Sequence, residues 1–286
     1  MVVSVASGKG GTGKTLVATS LALTLGDKGK VQLLDCDVEE PNAHIFLDFP
    51  PNQSQPVTIP IPRVDETKCN YCGKCAEVCA YNAIAVVSRK VLIFPQLCHG
   101  CGACSHLCPE SAITEEGREI GVVEKGNSGN VEFIQGRLII GEPMAPPIIR
   151  EVKKHIDARS MVIIDVPPGT SCPVVEAVRG SDFCLLVTEP TPFGLNDLSL
   201  AVEVMRKLQI PCGVIINRVG VGDDRVERYC LEQAIPIMLK IPLDRDIAVL
   251  YSKGIPLVEG MPEWRDAFLT LFQDIEQMVS ASQAVK

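Results

Sequence analysis

Short segments that are apolar almost throughout recur along the chain: Val2–Ala6, Val31–Leu34, Met161–Val166, Phe183–Thr188, Cys212–Asn217 and Ile237–Ile241. A strand with one wet face alternates apolar and polar residues, whereas one covered on both faces does not. These segments therefore predict buried strands. Between them lie stretches with helical periodicity, predicting helices over Gly13–Leu25, Val174–Arg179, Leu195–Leu208 and Asp223–Ala234. Two closing helices are expected near 244–252 and 263–279, and Gly26 and Gly29 close the first helix. Alternating strands and helices of this kind indicate an α/β fold, with a mostly parallel sheet and helices on both faces.

The alternation is interrupted once. Pro50, Pro51, Pro56, Pro60 and Pro62 break the pattern, so the chain is expected to leave the main domain there. Val122–Ile140 reads as a hairpin turning at Gly126-Asn127-Ser128-Gly129. The expected organisation is a main domain over 1–62 and 117–286, with a small inserted α+β domain over 63–116.

Composition narrows the function. The 286 residues allow one large domain or two modest ones, and 46% hydrophobic residues is ordinary for a globular chain. A net charge of −8 argues against nucleic acid and against anionic lipid as partners. The N-terminus has no basic start and long apolar stretch, and no apolar run is long enough to span a bilayer. Thirteen cysteines in such a chain read as metal ligands and buried thiols in a reducing cytoplasm, rather than as disulfides.

Gly8-Lys9-Gly10-Gly11-Thr12-Gly13-Lys14-Thr15 fits G-x4-G-K-[ST] and lies between a predicted strand and a predicted helix. Backbone N–H groups of such a loop turn inward around phosphate oxygens, and the helix N-terminus adds partial positive charge. Lys14 would neutralise the β and γ phosphates, and the Thr15 hydroxyl would ligate Mg²⁺. Lys9 makes the loop K-G-G-x-G-K-T, which resembles the deviant phosphate loop of the MinD, ParA, Mrp and nitrogenase Fe-protein class of ATPases.

Further residues match that class in order. Asp37 lies where the class has its switch I aspartate, which orients the attacking water; Asp35 is expected to be structural. Asp165 ends an apolar strand as a Walker B aspartate holding Mg²⁺ through water, and Gly169 follows in a switch II loop that senses the γ-phosphate. Asn217 matches the adenine-contacting asparagine, and Pro242 falls in the base-flanking loop. The resemblance implies ATP binding and hydrolysis and an ATP-dependent homodimer in which Lys9 reaches the partner's nucleotide.

Two runs, Cys69/Cys72/Cys75/Cys79 and Cys98/Cys101/Cys104/Cys108, share the spacing C-x2-C-x2-C-x3-C. This is similar to two-cluster bacterial ferredoxins, in which the fourth cysteine of each run ligates the other cluster. That resemblance implies two [4Fe–4S] clusters. One would be held by Cys69, Cys72, Cys75 and Cys108, the other by Cys98, Cys101, Cys104 and Cys79. Ala80 departs from the pattern where Pro109 keeps it, which alters a turn and not a ligand. Structural zinc is the competing reading, although zinc sites do not usually need two tripled runs. His99 and His106 are expected outside the ligand sets. Cys36, Cys184, Cys212 and Cys230 read as small buried thiols. Cys172, seven residues past Asp165, is a candidate bridging ligand by its likeness to the nitrogenase Fe protein.

The whole resembles a MinD-superfamily ATPase with an inserted ferredoxin domain. It implies ATP hydrolysis coupled to electron transfer, or to metal or Fe–S cofactor assembly on a partner protein. The alternatives are a spatial-organising ATPase of the MinD or ParA type and an ATP-dependent ligase like the cobyrinic acid amidases.

Overall fold

The computed structural model describes residues 1–47 and 49–283. Strand β1 (Val2–Ala6) passes through the glycine loop into α1 (Lys14–Gly26), and β2 (Val31–Asp35) follows. A long strand β3 (Gln53–Val64) leads to a small module of α2 (Lys74–Val78), β4 (Ile84–Val87), β5 (Lys90–Ile93) and α3 (Ala103–His106). The chain returns along β6 (Ile113–Ser128) and β7 (Val131–Leu138) to α4 (Pro146–Lys153). Then come β8 (Met161–Asp165), α5 (Cys172–Val178), β9 (Phe183–Thr188), α6 (Pro192–Leu208), β10 (Cys212–Val219), α7 (Arg225–Glu232) and β11 (Ile237–Pro242). Helices α8 (Arg245–Ser252), α9 (Leu257–Gly260) and α10 (Trp264–Gln283) complete the described chain.

The described residues form one large sheet in the order β11-β10-β9-β1-β8-β2-β7-β6-β3, besides the small β4–β5 pair. Strands from β11 to β7 run parallel, while β6 and β3 are antiparallel to their neighbours. The sheet divides the core into two layers. Ile163 and Ile164 are adjacent and both fully buried, one in each layer, as alternation along a strand requires. One layer joins the sheet to α1 and α8–α10 through Leu21, Phe133 and Phe268; the other joins it to α4–α7 through Ile134, Ile148 and Val202. Helix α1 is buried on nearly every side because α9 and α10 cover its outer surface.

Three details differ from the sequence expectations. The prolines do not end the main sheet: Pro56, Pro60 and Pro62 lie within β3. They fall on residues of the same parity, so their missing N–H groups all point to the free edge of an edge strand, where no ladder bond is lost. The hairpin turn is Gly129-Asn130, since Ser128 pairs with Val131. Helix α6 starts earlier than expected, because Thr191 accepts the Gly194 N–H at 3.0 Å and Pro192 occupies the first turn. Such a cap contributes about 1 kcal/mol.

Candidate functional site

Parallel pairing aligns the carboxyl ends of the central strands. Asp35 of β2 lies opposite Asp165 of β8, and Val5 of β1 also pairs with Asp165. The glycine loop, the segment after β2 and the segment after β8 therefore open on the same edge, where α/β sheets hold ligands. A cavity of about 350 Å³ lies there. Gly10, Gly11, Gly13, Lys14, Thr15, Asp37, Asn217 and Pro242 all line it.

Gly13 is left-handed (φ 97°), and a Cβ on it would lie 2.4 Å from Asn217 Nδ2. That nitrogen donates to the Thr12 carbonyl at 2.8 Å, so Asn217 braces the loop as well as lining the cavity. Thr12 itself is buried. Gly8 does not line the cavity; a Cβ added to it would lie 2.2 Å from the Asp197 carbonyl oxygen of α6. Gly169 does not line the cavity, although its neighbour Pro168 does; its N–H donates to Ser7 O at 2.9 Å and its φ is 97°.

Thr15 Oγ1 donates to Asp165 Oδ2 at 2.7 Å. Asp165 is fully buried, and its other oxygen, Oδ1, has no hydrogen-bond partner. Burial pushes its carboxyl up to about 6, against the pull of Lys14 and of the Thr15 bond. Asp37 is pushed up to about 7, mainly by burial, with the Asp165 charge adding and Lys14 opposing. Asp35 is raised by burial and by Asp165, and it accepts the backbone N–H groups of Asp37, Asn42 and Ala43. It thereby shapes the loop that presents Asp37. Crowded carboxylates with an unpartnered buried oxygen fit a divalent cation at Thr15 and Asp165.

Lys9 turns away from this cavity. Its Nζ pairs with Glu189 Oε2 at 3.1 Å, and Glu189 also accepts from Arg218, whose second nitrogen donates to Gly11 O at 3.2 Å. Arg218 lines the cavity and holds a left-handed backbone (φ 58°). Sequence reasoning missed Arg218, Glu189 and the cavity-lining Tyr251. Glu189 stands just past the end of β9, as Asp165 stands at the end of β8, and that placement was a usable signal. Nothing in the sequence marks Arg218 as left-handed or brings Tyr251 of α8 to the cavity.

The cysteine module repeats itself. Gly73 and Gly102 precede α2 and α3 with left-handed backbones. The thiols of Cys79 and Cys108 accept the N–H of Ala83 and Ala112 at 3.2 and 3.3 Å. Two cavities result. One is lined by Cys69, Cys72, Cys75 and Cys108, the other by Cys79, Cys98, Cys101 and Cys104. Among the described residues no three His, Cys, Asp or Glu side chains converge to hold a single metal ion. His99 stacks on Tyr81 at 3.5 Å beside the second cavity. Cys36, Cys184 and Cys230 are buried and Cys212 is partly so. Cys172 is exposed at the start of α5.

The parallel sheet, the glycine loop and the strand-end aspartates define a P-loop nucleotide-binding protein. Residues 3–257 match the CobQ/CobB/MinD/ParA nucleotide binding domain, and the chain belongs to that family. The uncharacterized proteins MJ0579 and MJ0578 of Methanocaldococcus jannaschii are 34% and 31% identical to it, over 89% and 98% of this chain and 90% and 98% of theirs. The iron-sulfur cluster carrier protein of Aquifex aeolicus is 25% identical over 98% of this chain and 68% of its own length. Among solved structures, the septum site-determining protein MinD of Pyrococcus horikoshii, complexed with Mg-ADP, aligns with a TM-score of 0.62. That match covers 97% of this chain and 96% of the other at 22% identity, which is likeness of fold. No helix among the described residues is long and apolar enough to cross a membrane.

Proposed function

We propose that this protein is an iron–sulfur ATPase, which hydrolyses Mg·ATP at the glycine loop and thereby controls how its cysteine module meets a redox or cofactor-assembly partner protein. The observation that carries this reading is the pair of four-thiol cavities in the same chain as the nucleotide cavity. Each cavity draws three cysteines from one run and the fourth from the other, the crossed set that two-cluster ferredoxins use. Four thiols spread around a cavity suit a multi-iron cluster better than one zinc ion, whose four ligands sit about 2.3 Å from a single point. [4Fe–4S] clusters held by these thiolates would supply one-electron chemistry.

The remaining chemistry belongs to the chain's own residues. Backbone N–H groups of Gly10 to Gly13 and the Lys14 ammonium would bind the β and γ phosphates. Thr15 and Asp165 would hold Mg²⁺, which would neutralise charge on the phosphates. Asp37, raised to about 7, would orient the attacking water and take its proton. Asn217 and Pro242 would flank the base. Gly169, after the Asp165 strand, is the point at which loss of the γ-phosphate would be felt. Lys9, already outside its own cavity, is available to a second copy of the chain.

Anaerobic purification followed by iron and sulfide analysis, EPR of the reduced protein and an ATPase assay tests the proposal. About eight irons per chain, a reducible cubane signal and Mg-dependent hydrolysis are expected. Stoichiometric zinc without reducible iron would overturn it.

A further inference from the structure

Two segments reach the nucleotide cavity from neighbouring strand ends: the one after β2 lines it with Asp37, and the one after β8 lines it with Pro168. Both are tied to one unit, β7 with α4. The Val38 carbonyl accepts the N–H of Leu138, the last residue of β7, at 2.8 Å. The Asp165 segment runs into α5, whose C-terminal end is gripped by Lys153, the last residue of α4. Lys153 Nζ donates to the carbonyls of Glu176, Ala177 and Arg179 at 2.7, 2.9 and 2.6 Å. Those bonds use all three ammonium hydrogens, and they place a cation where a helix end favours one. One turn earlier, Arg150 pairs with the Glu176 carboxylate at 3.3 Å.

The same unit is also tied to the stem of the cysteine module. The Ile139 N–H donates to the Ile120 carbonyl at 2.9 Å. Ile120 is the extra residue at which β6 bulges against Val57 and Thr58 of β3. Beyond that bulge, residues 58–64 and 113–119 form the two-stranded arm that carries the eight cysteines. Arg118 of the arm pairs with Glu142, in the connection from β7 to α4. The pair is largely buried, and Arg118 Nε and Glu142 Oε2 have no other protein partner. Between the two anchors Ile148, Ile149 and Val152 of α4 are fully buried against the sheet.

We propose that β7 and α4 form a strut that passes the nucleotide state of the cavity to the cysteine-bearing arm, anchored by Lys153 on the nucleotide side and by Arg118–Glu142 on the arm side. This rests on the functional reading above and specifies its coupling route. A short helix packed along its length and fixed at both ends moves as a body, so a shift of α5 or of Val38 displaces the arm rather than being absorbed. Lys153, Glu142 and Arg118 are positioning residues, and none of them lines the cavity.

The test is hydrogen–deuterium exchange on the full chain, purified anaerobically, without nucleotide, with Mg·ADP and with a non-hydrolysable Mg·ATP analogue. Nucleotide affinity and iron content are measured on the same samples. In the wild type, exchange over 58–64 and 113–119 should differ by at least about fivefold between the ADP and analogue states. In Lys153→Met and in Glu142→Gln that difference should vanish, with nucleotide affinity and iron content unchanged. If Lys153→Met does not fold, Glu142→Gln and Arg118→Gln test the other anchor. An arm equally protected in all three states of the wild type, or an undiminished difference in the variants, would overturn the strut. A wild type that binds no nucleotide or no iron overturns the functional reading, and the strut with it.

Discussion

Asp37 and Asp165 hold opposite relations to water although both lie at the same edge of the sheet. Asp165 is sealed beneath the glycine loop, while Asp37 keeps partial access to solvent. Both carboxyls are raised in the folded chain, Asp37 to about 7. A folded value above the unfolded one means that this group's stabilising share is complete at low pH and is lost as pH rises through about 7. Without metal or nucleotide, Asp37→Asn should therefore melt higher than the wild type near about pH 8, and the gap should narrow toward about pH 6. Calorimetric melts across that range check this; a gap independent of pH would refute it. Lys14, at the cavity floor, should matter to chemistry more than to folding. Lys14→Ala is expected to lower kcat by about 10²–10³-fold while circular dichroism stays native. The glycine loop was legible because phosphate binding demands a fixed local spacing, and Asp37 and Asp165 were read from their resemblance to the ATPase class. Arg218 and Glu189 were not, because their pairing joins the end of β10 to the end of β9.

At the level of elements, the arm is the distinctive part. Val64 of β3 pairs directly with Ile113 of β6, and the Asp65 N–H donates to Ala112 O at 2.8 Å, closing the neck of the cysteine module. Replacing residues 66–111 by Asn-Gly would join the two strands at the hydrogen-bonded Asp65–Ala112 pair through a favoured two-residue turn. The shortened chain should fold, bind nucleotide and lose its iron. Nucleotide-binding calorimetry and iron analysis decide it, and an insoluble or non-binding product would show that the module is needed to build the main sheet. The buried strands were readable because apolar residues on both faces leave no other arrangement. The edge strand was not, because the same prolines that break an interior strand are harmless where N–H groups face outward.

At the scale of the whole molecule, Lys9 is held by Glu189 outside its own nucleotide cavity. The Lys9 side chain is about one-third exposed, so the pair is weakly held and can be exchanged for another anion. Sedimentation velocity should show a monomer converting to a dimer with a non-hydrolysable Mg·ATP analogue. Lys9→Ala should abolish both the dimer and most of the hydrolysis while nucleotide still binds. Unchanged association in that variant would remove Lys9 from the mechanism.

Local chemistry, written in the order of residues, determined by itself that this chain has a parallel α/β sheet, a phosphate loop and two equal cysteine runs. A strand covered on both faces, a loop that must admit phosphate and a repeated C-x2-C spacing each impose a pattern within a few residues. Only the tertiary structure decided where Lys9 rests and how β7 and α4 stand between the nucleotide cavity and the arm. Those outcomes depend on which strand ends align across the sheet and which helix end meets a buried ammonium. They are contacts between residues distant in sequence, and no periodicity along the chain records them.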